Sequence, residues 1–383
     1  MADIIDNEEI DRDTVEPEAL EQHFRKKYKL LTECAVTLKK SYINKLHATI
    51  SLKLAVSLSD NSIEVYQLNN TSLNKICKLS GHEKTLTEVV CDPKEEHLVY
   101  SAAQDGLVKL WDTRVSGLGN ISIKRLNILS SIGRTNEIIQ NRWDSQRVKT
   151  SLSYGSYSDC AGSLPGWHFV DANCFCFKPN FMLQVKFHKT QTEVLATGSL
   201  DGLINIFNVM ELSEDDALTY SLNVENSVEK LSWLDEKQVA CITQSNDLQF
   251  WDTQSGDLLR TFTRDKVSRS IKRSKADDCF LVDTYTSIDD TPVVLAGSYG
   301  GNGHVLRSAT AAGGRLQPAA LFPANRQTVR CSHYDKDRDI LVTTGEAAII
   351  SVWTGSEAAE NGTTFGKISQ SLNKLHMNRH KPY

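Results

Sequence analysis

The chain has 383 residues, of which 40% are hydrophobic and 24% charged, and these proportions are ordinary for a globular protein. Its formal net charge of −5 argues against a nucleic-acid binder that acts through bulk positive charge. The first residues are acidic, unlike a secretory signal, and no run approaches the ~20 apolar residues that a membrane span needs.

Nine cysteines are spread irregularly along the chain, and none forms a Cys-x-x-Cys pair. An odd number of unpaired thiols in apolar runs is typical of a reducing compartment. We therefore expect the protein in the cytosol, the nucleus or both.

The N-terminal residues 1–22 carry nine acidic groups and one basic group, Arg12. Such a segment buries too little apolar surface to order itself, so we predict a solvated, disordered tail. An acidic binding tail is the alternative. Residues 28–38 then read as an isolated strand before the first repeat-like unit, which spans about 42–68.

The clearest unit is the stretch 75–114. Gly81-His82 is separated by 28 residues from Trp111-Asp112, with two alternating apolar runs and an Asp105-Gly106 turn between them. Asp-Gly is a strong hairpin signal because glycine takes the positive φ that such turns need. This pattern resembles one WD-repeat unit, a blade of a β-propeller.

The resemblance implies a buried hydrogen-bonded set at four positions: His82, Ser101, Asp105 and Trp111. A catalytic interpretation of His, Ser and Asp is the alternative. We favour a structural role, because Trp111 stands at the fourth position of the set.

Further units follow at about 181–210, which is almost as clear, at 221–262, which is fair, and at 271–308 and 323–354, which are weak. Their repeat markers are Thr197, Asp201, Phe207, Trp251 and Trp353. The gaps Trp111–Phe207 and Trp251–Trp353 are 96 and 102 residues, each about twice a WD-repeat period. The sequence therefore predicts an all-β, seven-bladed WD-repeat β-propeller over residues 23–356.

The expected third blade, about 115–180, is the anomaly. Residues 127–168 show no clear strand periodicity and no Gly-His or Trp-Asp frame. We interpret the segment as a degraded blade or as mis-sequenced, for example through a gene-model error. The end of the chain, 357–383, is predicted to be a basic tail, with nuclear import or a weak nucleic-acid contact as alternatives to a frayed end.

The order of units is similar to the WD repeat-containing protein 89 family. The likeness rests on residues 101–114, on Gln184-Val-Lys-Phe-His188 and on Gly198-Ser-Leu-Asp-Gly-Leu-Ile-Asn-Ile-Phe207. In such propellers the N-terminal strand often completes the last blade, and we expect that role for residues 28–38. The family implies no catalytic activity.

We therefore expect a non-catalytic scaffold for protein–protein interactions, monomeric within a complex, with no cofactor, metal or membrane contact. The alternative is a substrate receptor of a cullin-RING ubiquitin ligase. In it Trp111-Asp112-Thr113-Arg114 would meet the ligase adaptor, with Asp112 and Arg114 as the contact residues. A nucleic-acid platform is a third, weaker interpretation.

Two other patterns suggest chemistry only weakly. Cys160, His168, Cys174 and Cys176 have spacings unlike those of structural zinc sites. The glycine-rich stretch 297–303 has no helix after it, which a phosphate-binding loop would need. We therefore predict neither a metal site nor an enzyme.

Overall fold

A computed structural model describes residues 11–92, 95–104, 107–114, 120–124, 182–188, 190–191, 193–208, 210–211 and 214–355. These residues form six sheets of four strands, one of which has a short fifth strand. The sheets pack side by side as the blades of an all-β propeller, which confirms the predicted architecture.

The chain enters through a short N-terminal region before the first sheet. It contains helix α1 (Pro17–Leu20), a 3-10 turn (Glu21–His23) and strands β1 (Lys26–Lys27) and β2 (Lys29–Ala35). Sheet A follows and consists of β3 (Ile43–Ala48), β4 (Lys53–Leu58), β5 (Ile63–Asn69) and β6 (Ser72–Leu79). Sheet B consists of β7 (Leu86–Cys91), β8 (Leu98–Ala103), β9 (Val108–Asp112) and β10 (Asn120–Lys124).

Sheets C and D come after residue 181. Sheet C consists of β11 (Met182–Phe187), β12 (Val194–Ser199), β13 (Leu203–Asn208) and β14 (Leu218–Asn223), with helix α2 (Glu214–Ala217) before its last strand. Sheet D consists of β15 (Val228–Trp233), β16 (Gln238–Thr243), β17 (Leu248–Asp252) and β18 (Leu258–Phe262).

Helix α3 (Arg264–Ser270) and a 3-10 turn (Ala276–Asp278) lead into sheet E. Its strands are β19 (Cys279–Thr286), β20 (Pro292–Ser298), β21 (Val305–Ala312) and β22 (Arg315–Leu321), with a 3-10 turn at Gly300–Gly303. Sheet F consists of β23 (Val329–Asp335), β24 (Ile340–Gly345) and β25 (Ile349–Thr354).

Burial differs systematically between strand positions. The second strand of a sheet is buried almost throughout, as in β12, β16 and β24. Fourth strands are mostly exposed, as in β14 and β18. A strand covered on both faces needs apolar or small residues at nearly every position, which explains the continuous Val, Ile, Leu and Ala runs of the second strands.

The apolar cores lie between neighbouring sheets. Separate clusters join sheet B to A, A to F, F to E, E to D, and D to C. Sheets A, F, E and D, which lie inside this series, therefore bury both faces against their neighbours. The stability of such an array depends on these interfaces as much as on any one sheet.

The Asp201-Gly202 hairpin of sheet C shows why its turn chemistry is specific. Gly202 has φ +86°, a conformation that residues with a side chain rarely adopt. A Cβ at this position would also lie 3.1 Å from the carbonyl oxygen of Asn226 in the loop before sheet D. Glycine is thus required both by the turn and by the close approach of the next blade.

The N-terminal strand completes the last sheet, as the sequence predicted. Strand β2 pairs antiparallel with β25, and Leu30 lies opposite Trp353. Strand β1 pairs in parallel with β22 of sheet E, with Lys26 opposite Ala320. The start of the chain therefore covers two sheet edges that would otherwise be open to other chains.

The blade count differs from the prediction. The described residues contain six blades, whereas seven were expected. Of the expected third blade at 115–180, only residues 120–124 are described, and they form β10, the outer strand of sheet B. The rest of that segment, with the proposed degraded or mis-sequenced blade and the Cys160–Cys176 set, lies outside the described residues.

The error in the blade boundaries has one physical source. The WD-repeat signature ends at the third strand, so a unit ending at Arg114 lacked its outer strand. An exposed outer strand carries no strict apolar alternation, and β14 was misplaced for this reason. Strand β22, which is half-buried, fell outside the predicted unit 271–308.

The N-terminal tail prediction needs a second correction. Residues 11–22 are not a solvated tail, since they contain α1 and the buried Asp11. Asp11 is buried because Arg273 pairs with it, a partner 262 residues away that composition counting could not find. Residues 1–10 and the basic C-terminal segment 357–383 lie outside the described residues.

Candidate functional site

The structure brings three of the four predicted residues of sheet B into one hydrogen-bonded chain. Nε2 of His82 lies 2.8 Å from Oγ of Ser101, and Nε1 of Trp111 donates to the same oxygen at 2.8 Å. All three residues are buried. The fourth residue, Asp105, lies outside the described residues.

The register of sheet B explains why these side chains meet. Ser101 lies opposite Lys109, two residues before Trp111, so the indole crosses the strand pair diagonally. Lys109 is also buried, and its Nζ donates to the carbonyl oxygen of Gly81 and lies 5.9 Å above the Trp111 ring. Sequence reasoning missed this lysine, because a charged residue in a strand usually indicates a solvent-facing position.

Sheet F repeats the central link at the equivalent positions. Nε1 of Trp353 donates to Oγ1 of Thr343 at 2.9 Å, and Thr343 lies opposite Ser351 as Ser101 lies opposite Lys109. Trp353 is fully buried and packs edge-on against Phe322 at 5.4 Å between ring centres. The hydroxyl-to-indole bond is therefore a feature of two separate blades.

In sheets D and A the aromatic residue on the third strand donates its hydrogen bond to a different acceptor. In sheet D the hydroxyl position is Cys241, and Nε1 of Trp251 donates instead to Oε1 of Gln249 at 2.9 Å. In sheet A the hydroxyl of Tyr66 donates to Oε2 of Glu64 at 2.7 Å. Both acceptors stand two residues before the aromatic residue on its own strand.

Sheet C, by contrast, does not form the hydrogen-bonded set that sheet B forms. Phe207 has no polar hydrogen to donate, and the Asp201 carboxylate accepts from Ser199 Oγ and, at 3.1 Å, from the Leu203 amide. Asn205 Oδ1 is buried without a hydrogen-bond partner among the described residues. Thr197 is buried in β12, opposite Asn205.

The predicted partner-contact residues Asp112 and Arg114 form a local ion pair. Arg114 Nε lies 2.9 Å and 3.1 Å from the two carboxylate oxygens of Asp112, and the Arg114 amide donates to Oδ1 at 2.9 Å. The hydrogen bonds from Arg114 lower the pKa of Asp112 to about 2. Asp112 has 7% of its side chain exposed, whereas Arg114 has 66% exposed, so the guanidinium is held in place at the surface.

A second charged cluster, which the sequence did not reveal, docks the N-terminus on sheet E. Arg273 donates to Asp11 at 2.9 Å and to Asp13 at 3.0 Å, and Arg307 holds Asp13 through two bonds of 2.6 and 3.0 Å. Gly300 makes room for it, because a Cβ there would lie 3.0 Å from that of Asp11. We call residues 11–14 the N-terminal strap.

Polar side chains on the first strands of the sheets also link neighbouring blades. Asp283 of β19 accepts from Ser232 of sheet D and from Ser332 of sheet F, each at 3.2 Å. Trp233 of sheet D donates to the carbonyl oxygen of Lys186 in sheet C at 3.0 Å. These bonds tie blades together, and we assign them no catalytic role.

The described part of the chain also bears on metal binding and on membrane crossing. Among those residues, no group of three or more His, Cys, Asp or Glu side chains is placed to hold a metal ion. None of the described helices is long and apolar enough to cross a membrane.

Comparison with known proteins agrees with the geometry. A family model described as WD domain, G-beta repeat matches residues 73–112. This match runs from β6, the outer strand of sheet A, through β9, so the repeat in sequence and the blade in space are offset by one strand.

Two relatives extend the comparison beyond one repeat. The chain is 25% identical over 327 residues to the WD repeat-containing protein 89 homolog of Dictyostelium discoideum, and the match covers 84% of each chain. It is 23% identical over 190 residues to Restriction of telomere capping protein 1 of Candida albicans strain WO-1, a match that covers 48% of this chain and 17% of that protein. The chain is a β-propeller protein that carries a WD repeat at residues 73–112 and resembles the WD repeat-containing protein 89 homolog.

Proposed function

We propose that this protein is a non-catalytic scaffold that binds other proteins through the loops and rim of its propeller, in the cytosol or the nucleus. The observation that carries the proposal is the burial of Ser101. Its hydroxyl is 2.8 Å from His82, as a nucleophile beside a base would be, but it also accepts from Trp111 inside sheet B. A substrate has no access to that oxygen, whereas loops on a rigid frame are suited to binding.

The test is purification of the tagged full-length protein from native extract, followed by mass spectrometry and size-exclusion chromatography. We expect a monomer of this chain in stoichiometric complex with at least one other protein. A heat-unfolded sample of the same chain controls for partners that bind exposed apolar surface. Recovery of the chain alone, or turnover of a small molecule by the pure protein, contradicts the proposal.

A second candidate function is substrate recognition for a cullin-RING ubiquitin ligase. It is favoured by one observation, the exposed guanidinium of Arg114 that Asp112 holds beside Trp111. A preorganised arginine loses less side-chain entropy on meeting a carboxylate of the ligase adaptor.

Co-precipitation with the adaptor tests this candidate. We expect Arg114→Ala to reduce recovery of the adaptor about tenfold, since charge-assisted contacts contribute about 1.5–3 kcal/mol. Arg330→Ala is the matched control, because Arg330 is also exposed and paired with a carboxylate, that of Glu346. Equal recovery with both variants would exclude the role of Arg114.

A further inference from the structure

A basic groove lies on the outer rim between sheets D and E. It has a volume of about 630 Å³ and is open to solvent. Strand β18 forms one wall, β22 forms the other, and helix α3 with Lys272 closes one end. Two blades and their connecting segment thus build a single concavity.

The walls carry five cations: Arg260, Lys266, Arg269, Lys272 and Arg315. Arg269 pairs with Asp265 at 2.9 Å. Among the described residues, the other four side chains have neither a hydrogen bond nor an ion pair, and all but Lys272 are exposed. Unpaired cations on facing walls raise the local potential and favour an anionic ligand.

The floor of the groove is apolar. Phe262 is buried and packs edge-on against Phe250 at 5.9 Å, and Leu316 packs on the same core cluster. Pro318 continues the apolar lining along β22. A nucleic-acid backbone or a small anion leaves such a floor unused, whereas a peptide can place an apolar side chain on it between flanking carboxylates.

The lysine at the end of α3 lies in an unusual conformation. Lys272 has φ +63°, and its amide donates to the carbonyl oxygen of Arg269 at 3.1 Å. Helices commonly end in this way with glycine, which adopts the left-handed conformation without strain. The chain therefore holds a cation at a position where glycine would be easier to accommodate.

We propose that this groove binds an acidic peptide segment of a partner protein, one that carries an apolar residue between aspartates or glutamates. The proposal rests on the proposed scaffold function and specifies its surface and partner chemistry. The chain's own acidic residues 1–10 are a competing occupant. They are disfavoured because the strap runs from Ser298 toward Lys272, so that Thr14, not Asp11, is nearest the groove.

The test uses a fluorescent peptide with one leucine between six glutamates and the full-length protein, measured by anisotropy. We expect the double variant Arg260→Glu/Arg315→Glu to bind it at least about tenfold more weakly, because two attractive pairs become repulsive. The matched control is Lys39→Glu/Lys84→Glu, which changes two exposed lysines elsewhere and the net charge equally. We expect about a twofold change or less for it. Binding of the wild type should also weaken as salt screens the charges.

Several outcomes overturn the proposal: equal loss in both double variants, no binding by the wild type, or tighter binding of duplex DNA than of the peptide. Stronger peptide binding after removal of residues 1–10 would assign the groove to the chain's own tail. We expect a peptide with glycine in place of the leucine to bind more weakly. Equal binding would show that the apolar floor of the groove has no role. If the groove variant still recovers the wild-type partners from extract, the groove fails while the scaffold function stands.

Discussion

The hydroxyl of Ser101 joins two side chains that come from different parts of sheet B. It accepts from the Trp111 indole and also contacts His82, so the second and third strands and the loop before the sheet depend on one oxygen atom. Because the site is buried, water cannot replace a lost partner. The same oxygen that resembles a nucleophile in sequence is in this structure an element of blade assembly.

Replacing Ser101 with alanine should therefore destabilise the protein by about 1–3 kcal/mol, because the Trp111 N–H then stays buried without an acceptor. Thr343→Val should have a similar cost, since it removes the acceptor of Trp353 while keeping the side-chain volume. The measurement is the free energy of unfolding from urea titration. Ser80→Ala, at an exposed position, is the control and should change it by less than about 0.5 kcal/mol. A Ser101→Ala value as small as the control's would show that the indole bond does not contribute.

Sheet A offers a test of the other solution, in which the aromatic residue bonds to its own strand. The Glu64 carboxylate is buried, and it accepts from the Tyr66 hydroxyl and pairs with Lys75 at 2.7 Å. Burial, followed by the hydrogen bond to Glu64, raises the pKa of Tyr66 above its usual range, so the phenol stays protonated as the donor.

We expect Tyr66→Phe to cost about 1–2 kcal/mol, since a buried carboxylate loses one of its donors. Tyr42→Phe is the control, because Tyr42 is 47% exposed and its hydroxyl can bond to water. The comparison is made by thermal and urea unfolding under the same conditions. An equal, small effect of both substitutions would mean that Lys75 alone satisfies Glu64.

These two solutions show what the sequence could and could not predict at this scale. Ser101 and Trp111 stand at fixed offsets within one repeat, so a motif identifies them. Gln249 and Glu64 take over the acceptor role where the position opposite them is Cys241 or Val56, which offer no hydroxyl, and no motif records such a substitution. Compensation of this kind becomes visible only when the register of the strands is known.

At the scale of elements, buried ion pairs hold the N-terminal strap on sheet E. Asp11 is fully buried against Arg273, which has 6% of its side chain exposed. Burial by itself raises the pKa of Asp11, but hydrogen bonds from Ser298, the Lys275 amide and Arg273 outweigh it and hold the pKa below its ordinary value. The pKa of Asp13 is lowered in the same way by Arg307 and Arg273.

Docking of the strap should consequently depend on pH in one direction. A carboxyl whose pKa is lowered in the folded state stabilises that state above its unfolded pKa and loses this contribution as the pH falls. We expect docking to be constant between about pH 5 and about pH 7 and to weaken below about pH 4, where the unfolded carboxyls begin to bind protons. The observable is hydrogen-exchange protection of the Thr14 amide, which donates to Lys272.

The matched variant pair separates this effect from general acid sensitivity. Asp11→Asn should lower Thr14 protection at neutral pH, because Arg273 then lacks one of its two carboxylates. The loss of global stability should be smaller than the about 3–5 kcal/mol typical of broken buried pairs, since the strap can detach while the sheets stay folded. Asp337→Asn, at an exposed carboxyl, should leave protection unchanged. Equal hydrogen-exchange protection of the Thr14 amide in both variants would show that Asp11 does not hold the strap on sheet E.

The strands also show how much of this fold the sequence predicts. Second and third strands were predicted well, because burial on both faces produces continuous apolar runs and an aromatic at a fixed place. The outer strands β10, β14 and β22 lie beyond the third strand, where the repeat signature ends, and they were missed or misplaced, so blade boundaries were wrong. The strap was missed because the arginines that bind it, Arg273 and Arg307, lie about 260 and 290 residues away in sequence.

At the scale of the whole molecule, strand β2 is the element on which sheet F depends. It supplies the fourth strand of that sheet, and Tyr28 just before it donates to Asp339 at 2.7 Å. Leu30 and Tyr28 also belong to the core cluster between sheets E and F. The N-terminal region thus contributes hydrogen bonds, apolar burial and edge protection at the same place.

Removal of residues 1–36 should for this reason do more than shorten the protein. The edge of β25 loses its partner strand, and an uncovered edge pairs with other chains. We expect a lower melting temperature and concentration-dependent self-association by analytical ultracentrifugation, whereas removal of residues 1–10 should change neither. A synthetic peptide of residues 24–37 added to the truncated chain should restore both properties, because it can re-form the β2–β25 ladder. A truncated chain that stays monomeric and melts like the full-length protein would show that sheet F is stable with three strands, and that closure by β2 is dispensable.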